Sequence, residues 1–195
     1  MSPTNTLIGA HPHQSLEFID ELQLFPAIFT DPTREGLPVP DDSRWRVAYS
    51  CLQDLLQDKS PSSIASRLVQ TDDATYTAWN LAAICPWMTV EEPPNFRKKA
   101  NSLPLVAVVA REGFKAPNKL SDIIAASHRH REEIMTLKRG VCDGESFIQE
   151  RDRFGMAIRK WDMPAGSWRL QVLNALLVEV METLQEWNQE KSQSE

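Results

Sequence analysis

The sequence predicts an all-α protein, an irregular multi-helix bundle with no substantial sheet. Apolar residues recur at spacings of three and four, and no stretch sustains the alternation that a half-buried strand requires. Glycines punctuate that pattern. Gly9, Gly36, Gly113, Gly140, Gly144 and Gly166 fall where periodic segments begin or end, and only Gly155 lies inside one. The 195 residues are 42% hydrophobic and 25% charged, which suits one globular unit with its own core.

In chain order, Ser43 precedes a periodic run from Trp45 to Leu56, and Ser60 before Pro61 offers an N-cap followed by a first-turn proline. Pro117 or Asn118 opens a long helix that reaches Arg139. The last helix, from about Ser167 to Trp187, is the most regular: Leu173, Leu176, Leu177, Val180, Leu184 and Trp187 share one stripe that seeks a core. Glu179, Glu182 and Glu186 lie on another face, expected to be solvated and to repel a nucleic acid. The polar stretch from Gln189 to Glu195 is expected to fray. At least about seven helices fit these signals.

No stretch approaches the roughly 20 apolar residues of a membrane span, and Met1 to Gly9 lacks the basic and apolar regions of a signal peptide. An intracellular protein of the cytoplasm, nucleus or mitochondrion is expected, with no membrane partner. Cys51, Cys85 and Cys142 are far apart and form no CxxC pair, which argues against a zinc ribbon, a redox motif or a disulfide framework. Packed core thiols are expected.

Charge is unevenly spread. From Arg97 to Arg169 there are 15 Lys and Arg against 9 Asp and Glu, whereas the rest of the chain has 6 against 18. A basic centre in an acidic protein is what a phosphate-binding surface requires, and ordinary solvated helix charge is the competing explanation. The RNA-binding candidates are Arg97, Lys98 and Lys99 in a proline-flanked loop, Lys115 and Lys119 beside the start of the long helix, and Arg129, Arg131, Lys138 and Arg139 along it. Arg131 and Lys138 fall within the apolar stripe of Leu120, Ile124, Ser127 and Ile134. Two readings stand: pairing with carboxylates of a neighbouring helix, or, with His128, gripping an RNA phosphate at a cleft.

A search for catalytic constellations is negative. His11 and His13, and His128 and His130, are two apart, which on a helix sends the side chains to different faces. Glu150 and Asp152 likewise diverge on a helix, whereas two-metal chemistry needs both carboxylates on one side. There is no GxSxG, P-loop, HExxH or GxGxxG. Trp45, Trp79, Trp168 and Trp187 sit among apolar neighbours as core residues do, and Trp87 and Trp161, near proline turns, are the better base-stacking candidates although the core suits them too. No metal site and no catalytic residue is assigned.

Several segments carry a resemblance: Gly9-Ala-His-Pro-His followed by Ser15 to Pro32, Ala78-Trp-Asn-Leu-Ala-Ala-Ile-Cys-Pro-Trp87, Ala116-Pro-Asn-Lys-Leu-Ser-Asp122, Arg151-Asp-Arg-Phe-Gly-Met-Ala-Ile-Arg-Lys-Trp161 and Ser167-Trp-Arg-Leu-Gln171. In this order they resemble the neck and body of eukaryotic, fungal-like class II CCA-adding tRNA nucleotidyltransferases, relatives of the poly(A) polymerases. The resemblance implies a flexible start over 1–12, the end of a neck helix and its turn over 13–35, a helical body over 36–188 and a frayed tail over 189–195. It also implies tRNA as partner and a role in adding cytidine, cytidine and adenosine to its 3′ end.

The family's Gly-Ser pair and DxD motif, which hold magnesium for nucleotidyl transfer from ATP and CTP, have no counterpart here. No cofactor is therefore expected in this chain, and none of the catalytic motifs of the family enzyme. Two functions follow: a tRNA-positioning body served by a separate catalytic head polypeptide, or a non-catalytic helical interaction module that docks a partner near Leu16, Ile19, Leu22 and Phe25.

Overall fold

The computed structural model describes residues 9–93, 96, 103–146, 150–163 and 167–193, and for 184–193 the backbone alone. Among the described residues there are nine α-helices, one 3-10 turn and no strand, so the all-α expectation holds. The helices are α1 (Pro12–Glu21), α2 (Phe25–Ile28), α3 (Trp45–Gln57), α4 (Ile64–Leu68), α5 (Asp72–Ala83), α6 (Leu105–Glu112), α7 (Asn118–Cys142), α8 (Arg151–Asp162) and α9 (Trp168–Gln193). The 3-10 turn, Cys85–Thr89, follows α5 directly, because Pro86 has no N–H to continue an α-helical ladder.

Local chemistry sets most helix ends. The hydroxyl of Thr71 accepts from the Ala74 N–H at 3.1 Å, and Asp72 and Asp73 add negative charge to the first turn of α5. Ser63 caps α4 in the same way through the Ser66 N–H at 3.0 Å. This corrects the expected start at Ser60 and Pro61: the Asp58 carboxylate accepts the Ser60 N–H and turns the chain, so the helix begins at Ile64. Ser43 gives no cap to α3 either: the N-cap is Arg44, with no side-chain cap bond, and the Ser43 N–H donates to the Asp41 carboxylate.

Two helix ends share one geometry with different residues. At the end of α7, Glu145 N–H reaches the Gly140 carbonyl and Gly144 N–H the Val141 carbonyl, a Schellman motif with Gly144 left-handed at φ +69. At the end of α1, Leu24 N–H reaches the Ile19 carbonyl and Gln23 N–H the Asp20 carbonyl, but here Gln23 holds the left-handed position at φ +54. A side chain there is strained by contact of its Cβ with the backbone.

The core is built around Trp45. Its ring meets Phe25, Tyr49 and Phe29 edge-on at 4.8, 5.4 and 5.7 Å, and its indole N–H donates to the Ala82 carbonyl at 3.0 Å. The buried Trp45, Ala48, Tyr49 and Leu52 follow the spacing predicted for α3. Every residue from Leu105 to Ala110 of α6 is buried, as is every residue from Ala78 to Ala83 of α5. Helix α9 packs against α3, α4, α5, α7, α8 and the 3-10 turn, so its first four turns form the axis of the fold. Its backbone is helical to Gln193, beyond the expected limit at Trp187.

Helix α1 is bound to the body by more than apolar contact. Leu16 is fully buried, and the Asp20 carboxylate accepts from the Tyr49 hydroxyl at 2.7 Å and the Arg46 Nε at 3.1 Å. Burial and the adjacent Asp20 charge push the Tyr49 hydroxyl pKa well up, so it stays a donor. Leu16 and Phe25, expected to dock a partner, are therefore spent on the chain's own core, and the exposed pair is Phe18 and Leu22. The cysteines divide: Cys85 is buried, Cys51 half-buried, and Cys142, against expectation, exposed. Trp87 and Trp161 are buried at 1% and 2%, which decides for core over stacking. Among the described residues no helix is long and apolar enough to cross a membrane.

The two Schellman ends give opposite expectations. Gln23→Gly should raise stability by about 0.5–1 kcal/mol and Gly144→Ala should lower it by about 1 kcal/mol, read from urea unfolding midpoints. Equal effects of one sign would contradict the strain assigned to Gln23.

Candidate nucleic-acid interface

The basic centre of the sequence becomes α7, α8 and the start of α9. Helix α7 presents Leu120, Ile123, Ile124, Ser127 and Ile134 to the core, and that same arc carries Arg131 and Lys138 against α9. Arg131 pairs through Nη2 with the Glu182 carboxylate, and its side chain is only 18% exposed. Lys138 Nζ lies 2.5 and 2.7 Å from the two Glu179 oxygens. Glu182 is held twice, because its main-chain carbonyl also accepts from Arg44 Nη1 at 2.5 Å. The carboxylate-pairing reading of Arg131 and Lys138 thus describes the geometry. It also corrects the solvated glutamate face of α9: Glu179 and Glu182 point at α7, and the Glu186 side chain lies outside the described residues.

The other candidates lie on the outside. Arg129 is exposed and makes no ion pair among the described residues, and Arg139 is exposed and donates to the Thr136 hydroxyl at 3.2 Å. Lys115 and Lys119, 72% and 73% exposed, have only distant partners in Glu112 and Asp73, each at 3.9 Å. Pairs this exposed add little to stability and leave the ammonium free to exchange for a phosphate. Lys119 borders a cleft of about 380 Å³ where the starts of α5, α7 and α9 meet, lined also by Thr71, Tyr76, Thr77 and Ser167. Arg97, Lys98 and Lys99 lie outside the described residues.

Sequence reasoning missed the group that joins these helices. Gln171 is fully buried on α9, and its Nε2 donates to the Trp161 carbonyl at 2.5 Å and to the Ser167 hydroxyl at 3.1 Å. Both amide hydrogens are then used, so Oε1 faces His130 Nδ1 at 2.8 Å and the ring must carry its proton there. The available signal was positional: Gln171 and Asn174 both fall inside the arc of α9 that holds Leu170, Leu173 and Val178, and both are buried. On the other side of α7, Glu133 Oε2 accepts from Lys160 Nζ at 2.7 Å and from the Trp161 indole N–H at 3.2 Å. These bonds bring α8 back along α7 and leave between them a cleft of about 550 Å³, lined by Leu137, Ala157 and Trp161, with the exposed Met156 at its edge.

Burial raises the Cys85 thiol pKa far above its usual value and raises that of Cys51 too, so neither is a ready thiolate. Among the described residues no three His, Cys, Asp or Glu side chains gather as a metal site would need.

The class these features define is a helical body with a partly free cationic surface. The chain is 60% identical over 174 residues, 89% of its length, to the protein named nucleotidyltransferase lcsQ of Purpureocillium lilacinum. It spans 29% of that protein's length. No family model matches the chain, and no solved structure resembles it.

Two outcomes test the ion pairs. Arg131→Ala should cost about 1–2 kcal/mol in urea unfolding, more than Lys138→Ala, because the arginine is the more buried of the two cations. For Glu133, burial raises the carboxyl pKa but the bonds from Lys160 and Trp161 outweigh it, so the group lies below its ordinary 4.5. A depressed carboxyl pKa stabilises the fold fully above that ordinary value, and the stabilisation is lost as pH falls through the folded-state value. Glu133→Gln should therefore flatten the acid limb of stability below about pH 4.5 without steepening it at neutral pH. An unchanged acid limb would remove Glu133 from the account.

Proposed function

We propose that this chain is the RNA-holding body of a tRNA nucleotidyltransferase of the CCA-adding kind, with the chemistry carried by sequence outside it. The observation that carries the reading is the 60% identity over 174 residues to part of a nucleotidyltransferase. The segments that resemble the neck and body of CCA-adding enzymes agree with it in kind. In this reading the body fixes the register of the acceptor end through phosphate contacts, which position a nucleic acid without reading its sequence. Lys115, Lys119, Arg129 and Arg139 are exposed cations suited to that task. Arg131 and Lys138 serve it indirectly, by holding α7 on α9. Magnesium, ATP and CTP belong to a separate head that supplies the Gly-Ser and DxD groups.

A second reading is favoured by one observation. Phe18 and Leu22, 62% and 66% exposed and one turn apart on α1, form an apolar surface that a helical interaction module would use for a protein partner.

Binding of the purified chain to a tRNA lacking its CCA end, at about 50 and about 200 mM salt, separates the two. The RNA reading expects micromolar, salt-sensitive binding without nucleotide incorporation. It further expects the Lys119→Ala, Arg129→Ala, Arg139→Ala triple variant to flatten the salt dependence by about two to three phosphate contacts. Absence of binding at both salts would leave the interaction module, and incorporation by the chain alone would place a reaction centre in it.

A further inference from the structure

Helix α8 is the least embedded of the longer helices: of its twelve residues only Trp161 is buried. Its inward side is accounted for by Trp161 and Lys160 at Glu133 and by Ala157 over the cleft. Among the described residues, the outward side makes no ion pair with another element. Arg151, Gly155 and Arg159 follow at four-residue steps and so form one row. Asp152 and Asp162 flank that row at steps of three from Gly155 and Arg159, and Met156 stands beside it. All six residues are exposed, Met156 to 65%. Among the described residues none of the four charges has an ion-pair partner.

Gly155 sharpens the question. A glycine inside an exposed helix weakens it relative to alanine. Here a Cβ would meet no atom of the described residues within 4 Å, so nothing among them excludes a side chain. Where glycine persists in a regular helix at open surface, a close approach by another backbone is the physical use it has.

We propose that this face of α8 is a self-association surface, on which a second copy of the chain lays its own α8 antiparallel. The charge order carries the choice of partner. Crossing at Gly155 and Met156, an antiparallel pair sets Arg151 against Asp162 of the second copy and Asp152 against Arg159 of the second copy, each contact repeated by the two-fold axis. The glycine lets the helix backbones approach, and Met156 fills the crossing with a flexible apolar side chain. A nucleic acid fits less well, because two aspartates on the face match its two arginines. The area available to one helix pair is at the small end of specific interfaces, so the dimer is weak and depends on concentration.

Sedimentation equilibrium of the full chain from about 10 µM to about 1 mM tests this, with a monomer–dimer equilibrium expected in that range. Arg151→Glu with Arg159→Glu faces acid with acid and should raise the dissociation constant at least about tenfold at low salt. Exchanging all four charges, Arg151→Asp, Asp152→Arg, Arg159→Asp and Asp162→Arg, should restore it. Gly155→Leu should abolish the dimer while circular dichroism shows helix content retained. A chain that stays monomeric throughout, or a dimer indifferent to both the charge reversal and Gly155→Leu, overturns the proposal. So does a monomer whose RNA binding is removed by the arginine reversal, which would give the face to a nucleic acid.

Discussion

The Gln171 side chain is the point through which three helices are positioned. It is fully buried on α9, and its amide satisfies His130 on α7, the main-chain carbonyl at Trp161 on α8 and the Ser167 hydroxyl at the start of its own helix. A buried amide is costly unless every polar atom is met, and here each is, with the tautomer of His130 set as a result. An apolar residue of like volume would pack on α9 but would strand the carbonyl of Trp161 and the ring of His130. The hydrophobic cluster around Trp45 makes the body stable; the Gln171 bonds decide where α7 and α8 stand upon it.

That division explains what was legible in the sequence. Burial by periodicity was readable: Trp45, Ala48, Tyr49 and Leu52 on α3, or the unbroken apolar run of α6, gave helices with the inward faces that the structure has. Gly144 stands at the end of α7, although the helix was expected to stop at Arg139, whereas Gln23 holds the same left-handed position after α1 with no glycine to mark it. Polar residues within apolar arcs were harder. Arg131 and Lys138 declared themselves as inward cations, yet their partners, Glu179 and Glu182, had been set on a solvated face, since spacing within one helix does not show which neighbour it will meet. Leu16 and Phe25 were misread in the opposite sense: they resembled docking residues because the contacts that bury them come from α3, distant in sequence.

The cations sort accordingly into two groups. Arg44, Arg131 and Lys138 join helices, and moving any of them to a phosphate would release a carboxylate or carbonyl that the fold uses. Arg129, Arg139, Lys115 and Lys119 have no such duty, or only a weak one at 3.9 Å. A surface built from the second group can bind and release a polyanion without disturbing the first. In the proposed reading, this second group would hold an acceptor end while the first keeps the frame fixed.

Helix α8 occupies a third position, neither core nor simple solvated surface. It is tied at one end by the buried Trp161, with Phe154, Ala157 and Ile158 only half-buried, so its attachment leans on a few polar bonds whose strength falls when Glu133 is protonated. A helix held this way would gain from neutralised charge and from a strong helix former at its centre. It has instead a glycine in open space and four unpaired charges in an order that reads the same from either end once the signs are exchanged. Optimising α8 within the single chain would replace Gly155 first. Its presence accords with the proposed pairing, in which a second backbone approaches at that point.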